Sequence, residues 1–280
     1  MTKPTQTSQQ PARPASRRFA GFTLIELMVS ISIMAIIMLA FGGLMTRTNV
    51  VVTQGEKRMR ADASASAISR LIRNDIRKMT KNGFLRMSSD KLMFVIAGKT
   101  QSAFSEQSGD GAIIIYGRDE GSNVLYRKIL VLAKKAPTTA GKEEVDCLLW
   151  NNNGVRTPLD LAELQVMSTG KMTEIMDQVV SDIEDDSLAY PPRTLHQVTK
   201  TMWMVLAGGC KELKITSRST KKNEWKDGGG THTRHNQSSW PAALKFKFKL
   251  SADSLVGAAI AEAGTTSGDV EYEIICPIGH

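Results

Sequence analysis

The sequence predicts an α+β fold in which a long N-terminal helix, membrane-spanning in its first half, packs against an antiparallel β-sheet head. Three observations support this prediction. An apolar stretch of twenty residues begins at Phe22, helically spaced apolar residues follow it, and short strand-like segments fill the C-terminal part. We therefore expect a basic leader at 1–21, the helix at 22–83 and a β-rich head at 84–280.

The leader concentrates positive charge in a chain that is otherwise nearly balanced. The 280 residues contain 36 Lys and Arg against 28 Asp and Glu, which gives a formal net charge of +8. Four of the basic residues and none of the acids lie in 1–21, so half of the net charge belongs to the leader. The remaining body is only mildly basic, and its charge gives little support to nucleic-acid binding.

The apolar stretch from Phe22 to Phe41 is long enough to cross a bilayer. At about 1.5 Å per residue, twenty helical residues span a hydrocarbon core of roughly 30 Å. A secretory signal and a plain signal anchor are two interpretations of such a stretch. No small-x-small cleavage site follows cleanly, which argues against the first interpretation. Glu26 argues against the second, because a lone acid inside a membrane costs roughly 2.5–3.5 kcal/mol at its centre.

The hexapeptide Gly-Phe-Thr-Leu-Ile-Glu at 21–26, preceded by the basic leader, resembles the class III signal of type IV prepilins and pseudopilins. This resemblance implies that a prepilin peptidase cuts after Gly21 and that the new N-terminal residue, Phe22, is N-methylated. It also implies that Glu26 pairs with the terminal amine of a neighbouring subunit during assembly. Such a pair neutralises two charges that are each costly in lipid.

Beyond the apolar stretch the helix becomes amphipathic, because hydrophobic residues recur at three- and four-residue steps at Ile68, Leu71, Ile72, Ile76 and Met79. We expect it to continue to about Lys81 and to stop at Asn82-Gly83. Gly42 and Gly43 each weaken the helix by about 1 kcal/mol. They indicate either close packing or a point of local melting when a subunit leaves the membrane.

Strand patterns dominate the head. They occur at Leu92–Ala97, Ala112–Tyr116, Val124–Leu132, Cys147–Trp150, Met202–Leu206, Leu213–Ser217, Leu244–Leu250 and Val270–Cys276. In Leu244–Leu250 lysines alternate with apolar residues, which predicts one buried face and a lysine face that protects an edge strand. Helical spacing appears at Met172–Ile183. Polar loops are expected at 98–111, 134–144, 184–200 and 218–239.

The residues give no support to catalysis or to a cofactor, and we expect no metal site. Ala97-Gly98-Lys99-Thr100 lacks the first glycine of a phosphate loop, and His232 and His235 have too few partners for a metal. Asp182, Glu184, Asp185 and Asp186 could offer oxygen ligands to calcium, but we expect a solvated acidic helix end. The basic loop at 218–239, with Lys221, Lys222, Lys226, Arg234 and Trp225, is a candidate for DNA contact, but we expect an exposed loop and no nucleic acid.

The three cysteines, Cys147, Cys210 and Cys276, are too widely separated for a zinc site or a disulfide framework. We expect buried free thiols, with a Cys210–Cys276 bridge as the alternative.

The head from Val205 onward has Val205-Leu206, the segment Cys210–Ile215, Trp225, and Trp240–Leu244 leading into an alternating strand. This layout loosely resembles the C-terminal half of the J-type minor pseudopilins of type II secretion, and minor pilins of type IV pili share it. The two resemblances imply a single-pass protein of the bacterial inner membrane with a periplasmic head. Its expected partners are the prepilin peptidase, membrane lipid, and other minor and major pseudopilins bound through the N-terminal helix. The alternatives are a minor pilin for adhesion or DNA uptake and a signal-anchored periplasmic binding domain.

Overall fold

The computed structural model of the protein describes residues 23–101, 108–121, 123–134, 147–152, 155–184, 204–220, 224–251 and 269–279. The chain divides into two compact units, Met1–Thr53 and Gln54–His280. The leader and the predicted domain boundary at 21/22 lie outside the described residues, and the predicted division into domains stays a prediction.

The described residues contain three α-helices, which are α1 (Leu24–Arg77), α2 (Leu161–Val166) and α3 (Thr169–Glu184). The strands of the first half are β1 (Phe84–Met87), β2 (Lys91–Gln101), β3 (Ser108–Asp119), β4 (Val124–Leu132), β5 (Leu149–Asn152) and β6 (Val155–Pro158). The later strands are β7 (Met204–Ala207), β8 (Cys210–Arg218), β9 (Trp225–Asp227), β10 (Gly230–Thr233), β11 (Ala243–Ser251) and β12 (Asp269–Pro277). A short 3₁₀ helix spans Arg234–Ser239. The predicted α+β class is confirmed.

In the first unit, α1 is exposed along its whole length up to Thr53. The helix runs without interruption through Gly42 and Gly43, and a Cβ at either position would meet nothing within 4 Å. The structure therefore shows neither a break nor close packing at these glycines.

In the second unit, α1 ends at Arg77, before the predicted stop at Asn82-Gly83. The reason is that the next residues pair with β2 instead of continuing the helix. Thr80 N donates to Val95 O at 3.0 Å, and Ala97 N donates to Lys78 O at 3.0 Å.

The larger sheet has six antiparallel strands in the order β10-β1-β2-β3-β4-β7, and its central strands are largely buried on both faces. In β2, Phe94 belongs to the core shared with α1, whereas Val95 belongs to the core shared with α3. In β3, Ile114 likewise belongs to the core shared with α1, and Ile113 belongs to the core shared with α3. Because alternate side chains enter different cores, these strands are continuous apolar runs without polar alternation.

The smaller sheet has four antiparallel strands in the order β12-β11-β8-β9. Its inner face joins the same core as α1 and the larger sheet, through residues such as Phe246 and Ile274. The chain passes from the larger sheet to the smaller one between β7 and β8. Gly209 lies at this crossing with a φ of 66°, a conformation that favours glycine.

The lysine face of β11 does not protect an edge, and that prediction is wrong. β11 lies between β12 and β8, and its lysines pair with acids of β12. Lys247 Nζ is 3.0 Å from Glu271 Oε1, and Lys249 Nζ is 3.5 Å from Asp269 Oδ2. The alternating lysines are explained equally well by cross-strand ion pairs and by protection of an edge. The sequence of a single strand does not distinguish the two explanations.

Two predicted loops contain regular structure. β2 and β3 extend into 98–111, and β9 and β10 lie within 218–239. The sequence analysis also missed β1, β6 and α2, which are four to six residues long and offer little periodicity. Of the other predicted loops, 135–144 and 185–200 lie outside the described residues.

A buried polar cluster joins α1 to the larger sheet. Asp75 of α1, Tyr116 of β3 and Arg127 of β4 are exposed by only 2%, 1% and 6%. Asp75 Oδ2 accepts hydrogen bonds from Arg127 Nε at 2.7 Å and from Tyr116 Oη at 2.5 Å. Burial and the Asp75 carboxylate raise the pKa of Tyr116 well above its ordinary value. Burial opposes the charge of Arg127, but its hydrogen bond with Asp75 and the charge of that residue raise the pKa of the guanidinium.

The three cysteines are free and buried, as expected. Cys276 pairs with Leu244 and Cys210 pairs with Leu250, on opposite sides of β11. Six residues of strand separate these positions by roughly 20 Å, which is far beyond the reach of a disulfide. The alternative of a Cys210–Cys276 bridge is therefore wrong.

We predict that Asp75→Ala lowers the free energy of unfolding by about 3–5 kcal/mol, because it leaves the Arg127 guanidinium buried without its carboxylate. Chemical denaturation of the full chain in detergent micelles measures this change. Asp227→Asn is the matched control, since it removes an exposed ion pair with Lys214 and should cost less than about 1 kcal/mol. Equal losses in the two variants would contradict the role of the cluster.

We predict that Cys210 and Cys276 react slowly with maleimide at pH 8 in the native protein. Burial raises the pKa of both thiols from 9.0 to about 11, and the thiolate is the reacting form. Unfolding in urea should raise their rates by about a hundredfold or more, because two pKa units change the thiolate fraction by that factor. An exposed thiol introduced as Lys226→Cys serves as the fast control, and native thiols that react as fast as it does would sink this prediction.

Candidate functional site

The candidate site is the first turn of α1, where Thr23 and Glu26 bind one another. Thr23 N donates to Glu26 Oε2 at 3.2 Å, and Thr23 Oγ1 donates to the same oxygen at 3.1 Å. Glu26 N in turn contacts Thr23 Oγ1 at 3.3 Å. This reciprocal arrangement is a capping box, which satisfies backbone N–H groups that the first turn of a helix leaves without partners.

The capping box gives Glu26 a local role that the sequence analysis missed. An acid in the first turn also lies at the positive end of the helix dipole, where negative charge is favourable. The detectable signal was Thr-x-x-Glu directly before an apolar run, a spacing typical of a helix start. Within the described residues, Glu26 Oε1 makes no hydrogen bond, and the structure brings no cation to it.

The hydroxyl groups of the apolar helix are satisfied by its own backbone. Ser30 Oγ donates to Glu26 O at 2.8 Å, and Ser32 Oγ donates to Met28 O at 2.8 Å. Thr46 Oγ1 does the same with Gly42 O at 2.9 Å. Because an unpaired polar group is costly in hydrocarbon, this internal bonding suits the helix to lipid.

By length and composition, α1 can cross a membrane. Its most apolar 18-residue window has a mean hydropathy of 2.5, and none of that window is buried. Large apolar side chains such as Leu24, Leu39 and Phe41 are at least 64% exposed. A surface of this kind needs a cover, which lipid or the helices of other subunits can supply.

The two residues of the predicted cleavage site, Gly21 and Phe22, lie outside the described residues. Their roles as the cleaved bond and the methylated terminus stay predictions, as does the pairing of Glu26 with a neighbouring amine.

Among the residues that the structure describes, the other candidates do not form a ligand site. His232 Nδ1 lies 3.0 Å from Ser239 Oγ, and burial lowers the pKa of this histidine. His235 instead contacts Arg234 Nε at 3.1 Å. Within the described ranges, no group of three or more His, Cys, Asp or Glu is placed to hold a metal ion.

The aromatic residue of the basic loop, Trp225, belongs to β9 and packs against cations of its own chain. Lys245 Nζ lies 4.4 Å from the centre of its ring, and the guanidinium of Arg218 lies 5.6 Å away. An indole contacted in this way offers less free ring surface for stacking on a nucleic-acid base. Lys221 and Lys222 lie outside the described residues.

The comparison with protein families agrees with the site at the start of α1. Residues 16–42 match the model of the prokaryotic N-terminal methylation motif. The match covers Gly21, Phe22 and Glu26 as well as the whole apolar stretch from Phe22 to Phe41. No curated protein matches the chain.

This motif implies processing by a prepilin peptidase and assembly with other pilins, and proteins of this kind are structural. Together with the exposed apolar helix, it indicates a membrane-anchored protein. The motif and the fold, a long apolar helix with antiparallel sheets, support a type IV pilin-like protein.

Proposed function

We propose that the protein is a minor pseudopilin, a tip or priming subunit of a type II secretion pseudopilus. It is cut between Gly21 and Phe22, methylated at Phe22, and anchored in the inner membrane with its head in the periplasm. The observation that carries this proposal is a capped carboxylate, Glu26, at the start of a fully exposed apolar helix within a methylation motif.

Glu26 has two oxygens with different tasks in this proposal. Oε2 holds the capping box with Thr23, and Oε1 accepts from the methylated terminal ammonium of an adjacent subunit. The capping box orients the carboxylate and lessens its cost in lipid while the subunit is still a monomer. Assembly then adds a charge-assisted bond that a monomer lacks.

The apolar half of α1 supplies the packing surface of the polymer. Lipid covers it before assembly, and the helices of neighbouring subunits cover it afterwards. Gly42 and Gly43 are open to close approach by such a helix, because no side chain surrounds them. They also lower the cost of local unwinding at the end of the membrane span.

In the second unit, the head segment of α1 is tied to the sheets, so that the helix and the head move together. Asp75 binds Arg127 in the larger sheet, and Asp62 Oδ1 accepts from Tyr272 Oη of the smaller sheet at 2.7 Å. Movement of this helical segment during assembly would therefore displace both sheets.

We predict that the mature protein begins with an N-methylated Phe22, because the peptidase cuts before the membrane span and leaves it in place. Intact mass spectrometry of protein extracted from membranes measures the terminus. Gly21→Val is the control and should retain the full leader. Wild-type protein that keeps Met1, or that begins beyond Phe41, would contradict both cleavage and the polymer function.

We predict that Glu26→Gln inserts normally but assembles at least about tenfold less, since an amide oxygen keeps the capping box while the charge is lost. Chemical cross-linking of adjacent subunits in membranes measures assembly. Thr23→Val is the matched variant, because it removes the hydroxyl and keeps the carboxylate, and it should impair assembly less. Normal assembly of Glu26→Gln would show that the acid serves only the cap.

Deletion of the gene separates the two filament systems. Loss of protein secretion would assign the subunit to a pseudopilus. Loss of pili with intact secretion would assign it to a type IV pilus instead.

A further inference from the structure

β12 is the longest edge strand of the larger and the smaller sheet. It has nine residues, whereas the other edge strands of these two sheets, β7, β9 and β10, have three or four. Short edge strands are one of the ways in which proteins avoid pairing with other chains, because a long edge presents a row of free N–H and C=O groups. The length of β12 gives it no such protection.

The register of β12 shows which of its backbone groups point outward. Ile278 N, directly after the strand, donates to Ala242 O at 2.9 Å, which makes these two residues a hydrogen-bonded pair next to the ladder of β12 and β11. Every second pair of an antiparallel ladder is of this kind. The even-numbered residues of β12 therefore bond to β11. The odd-numbered residues direct their N–H and C=O groups to the open edge, and they are Asp269, Glu271, Glu273 and Ile275.

The opposite side of β11 agrees with this assignment. Ser251 N, an odd-numbered group of β11, donates to Gly209 O at 2.9 Å on the side of β8. In the part of the chain that the structure describes, no strand pairs with the outer edge of β12, and no other backbone group bonds to it. The smaller sheet thus ends in a row of hydrogen-bonding groups that the described residues do not use.

The outer face of β12 is acidic over most of its length and apolar near its end. Asp269, Glu271 and Glu273 are followed by Ile275, which is 47% exposed. Lys247 Nζ lies 3.0 Å from Glu271 Oε1 and 3.6 Å from Glu273 Oε2. All of the ion pairs that the described residues give these acids come from lysines of β8 and β11, which lie behind the strand and not at its open edge.

This acidic row disfavours the pairing of β12 with β12 of a second copy. Antiparallel pairing of two such edges would place outward residues opposite outward residues, so that acids would face acids. Like charges directly opposite each other destabilise a pair of strands. A strand from a different protein does not meet this cost if it has basic or uncharged side chains opposite the acids and an apolar side chain opposite Ile275.

We propose that the outer edge of β12 pairs with an extended segment of a different pilin-like subunit, which thereby adds a strand to the smaller sheet. Main-chain hydrogen bonds supply the affinity, and the side chains opposite Glu273 and Ile275 select the partner. The inference rests on the proposed function, because it requires a tip subunit that contacts subunits unlike itself. Each molecule makes this contact once, and the contact does not repeat along the filament.

Hydrogen exchange read by mass spectrometry, with fragmentation that resolves single amides, tests the edge directly. The full-length protein is compared in membranes of its native host, with that host's complete set of pilin-like subunits, and in membranes of a host that has no other pilin-like protein. We expect the amides of Glu271, Glu273 and Ile275 to exchange at least about tenfold more slowly in the native membranes. Those of Tyr272 and Ile274, which bond to β11, should be protected in both.

Two variants at one position separate the backbone from the side chain. Glu273→Pro removes an outward N–H and leaves the ladder with β11 in place, since proline is tolerated in an edge strand where its nitrogen faces away from the sheet. It should abolish the added protection of Glu271 and Ile275. Glu273→Ala loses the same carboxylate and its ion pairs but keeps the N–H, so it should retain that protection. If the proline also exposes Tyr272 and Ile274, the wild-type comparison decides alone.

Equal exchange of the outward amides in the two membranes would overturn the proposal. Fast exchange in both would mean that the edge stays open, and slow exchange in both would mean that the chain itself or a second copy covers it. Protection that survives in Glu273→Pro, with the ladder to β11 intact, would also overturn it. The N-terminus is determined in the same samples. A terminus at Phe22 without edge protection rejects the strand pairing alone, whereas an uncut leader rejects the proposed function.

Discussion

The burial of one side of α1 against both sheets is the constraint on which the second unit depends. Ile68 and Ile72 enter a core that also contains Phe94 of the larger sheet and Phe246 of the smaller one. The two sheets are joined through this shared core, and the helix completes it. Asp75 adds a fixed register, because its carboxylate must meet both Arg127 and Tyr116. Apolar packing tolerates small sliding movements, but a buried charge does not.

In the first turn of α1, Glu26 has a structural role in addition to the assembly role proposed for it. Glu26 caps its own helix through Thr23, and this bond exists in the single chain. A capping role does not exclude an intermolecular role, because a carboxylate accepts several hydrogen bonds. Thr23, which starts the helix, and Glu26, the residue proposed to bind a neighbouring subunit, are thus held together at a spacing of one helical turn.

Much of the fold could be predicted from the sequence, where hydrophobic periodicity was strong. The apolar stretch, the central strands β2, β3 and β4, and α3 were found for this reason. The position of β11 within its sheet was not predicted, because alternating lysines have the same pattern in a central strand as in an edge strand. The buried role of Asp75 was also missed, since a lone acid on an amphipathic helix gives no sign of an arginine that lies 52 residues away. For the site, composition identified Glu26 as unusual, but its partner Thr23 could be recognised only from capping geometry.

The bond between Tyr272 and Asp62 joins residues 210 positions apart. β12 pairs with β11 over nine positions and is the last strand of the smaller sheet. The core between α1 and the sheets is therefore incompletely buried until this strand has been synthesised. A growing polypeptide that lacks it cannot complete its native contacts on the ribosome. In the proposed topology, with the head in the periplasm, the export machinery would therefore receive an unfolded segment, and the native fold would form only after the segment is released.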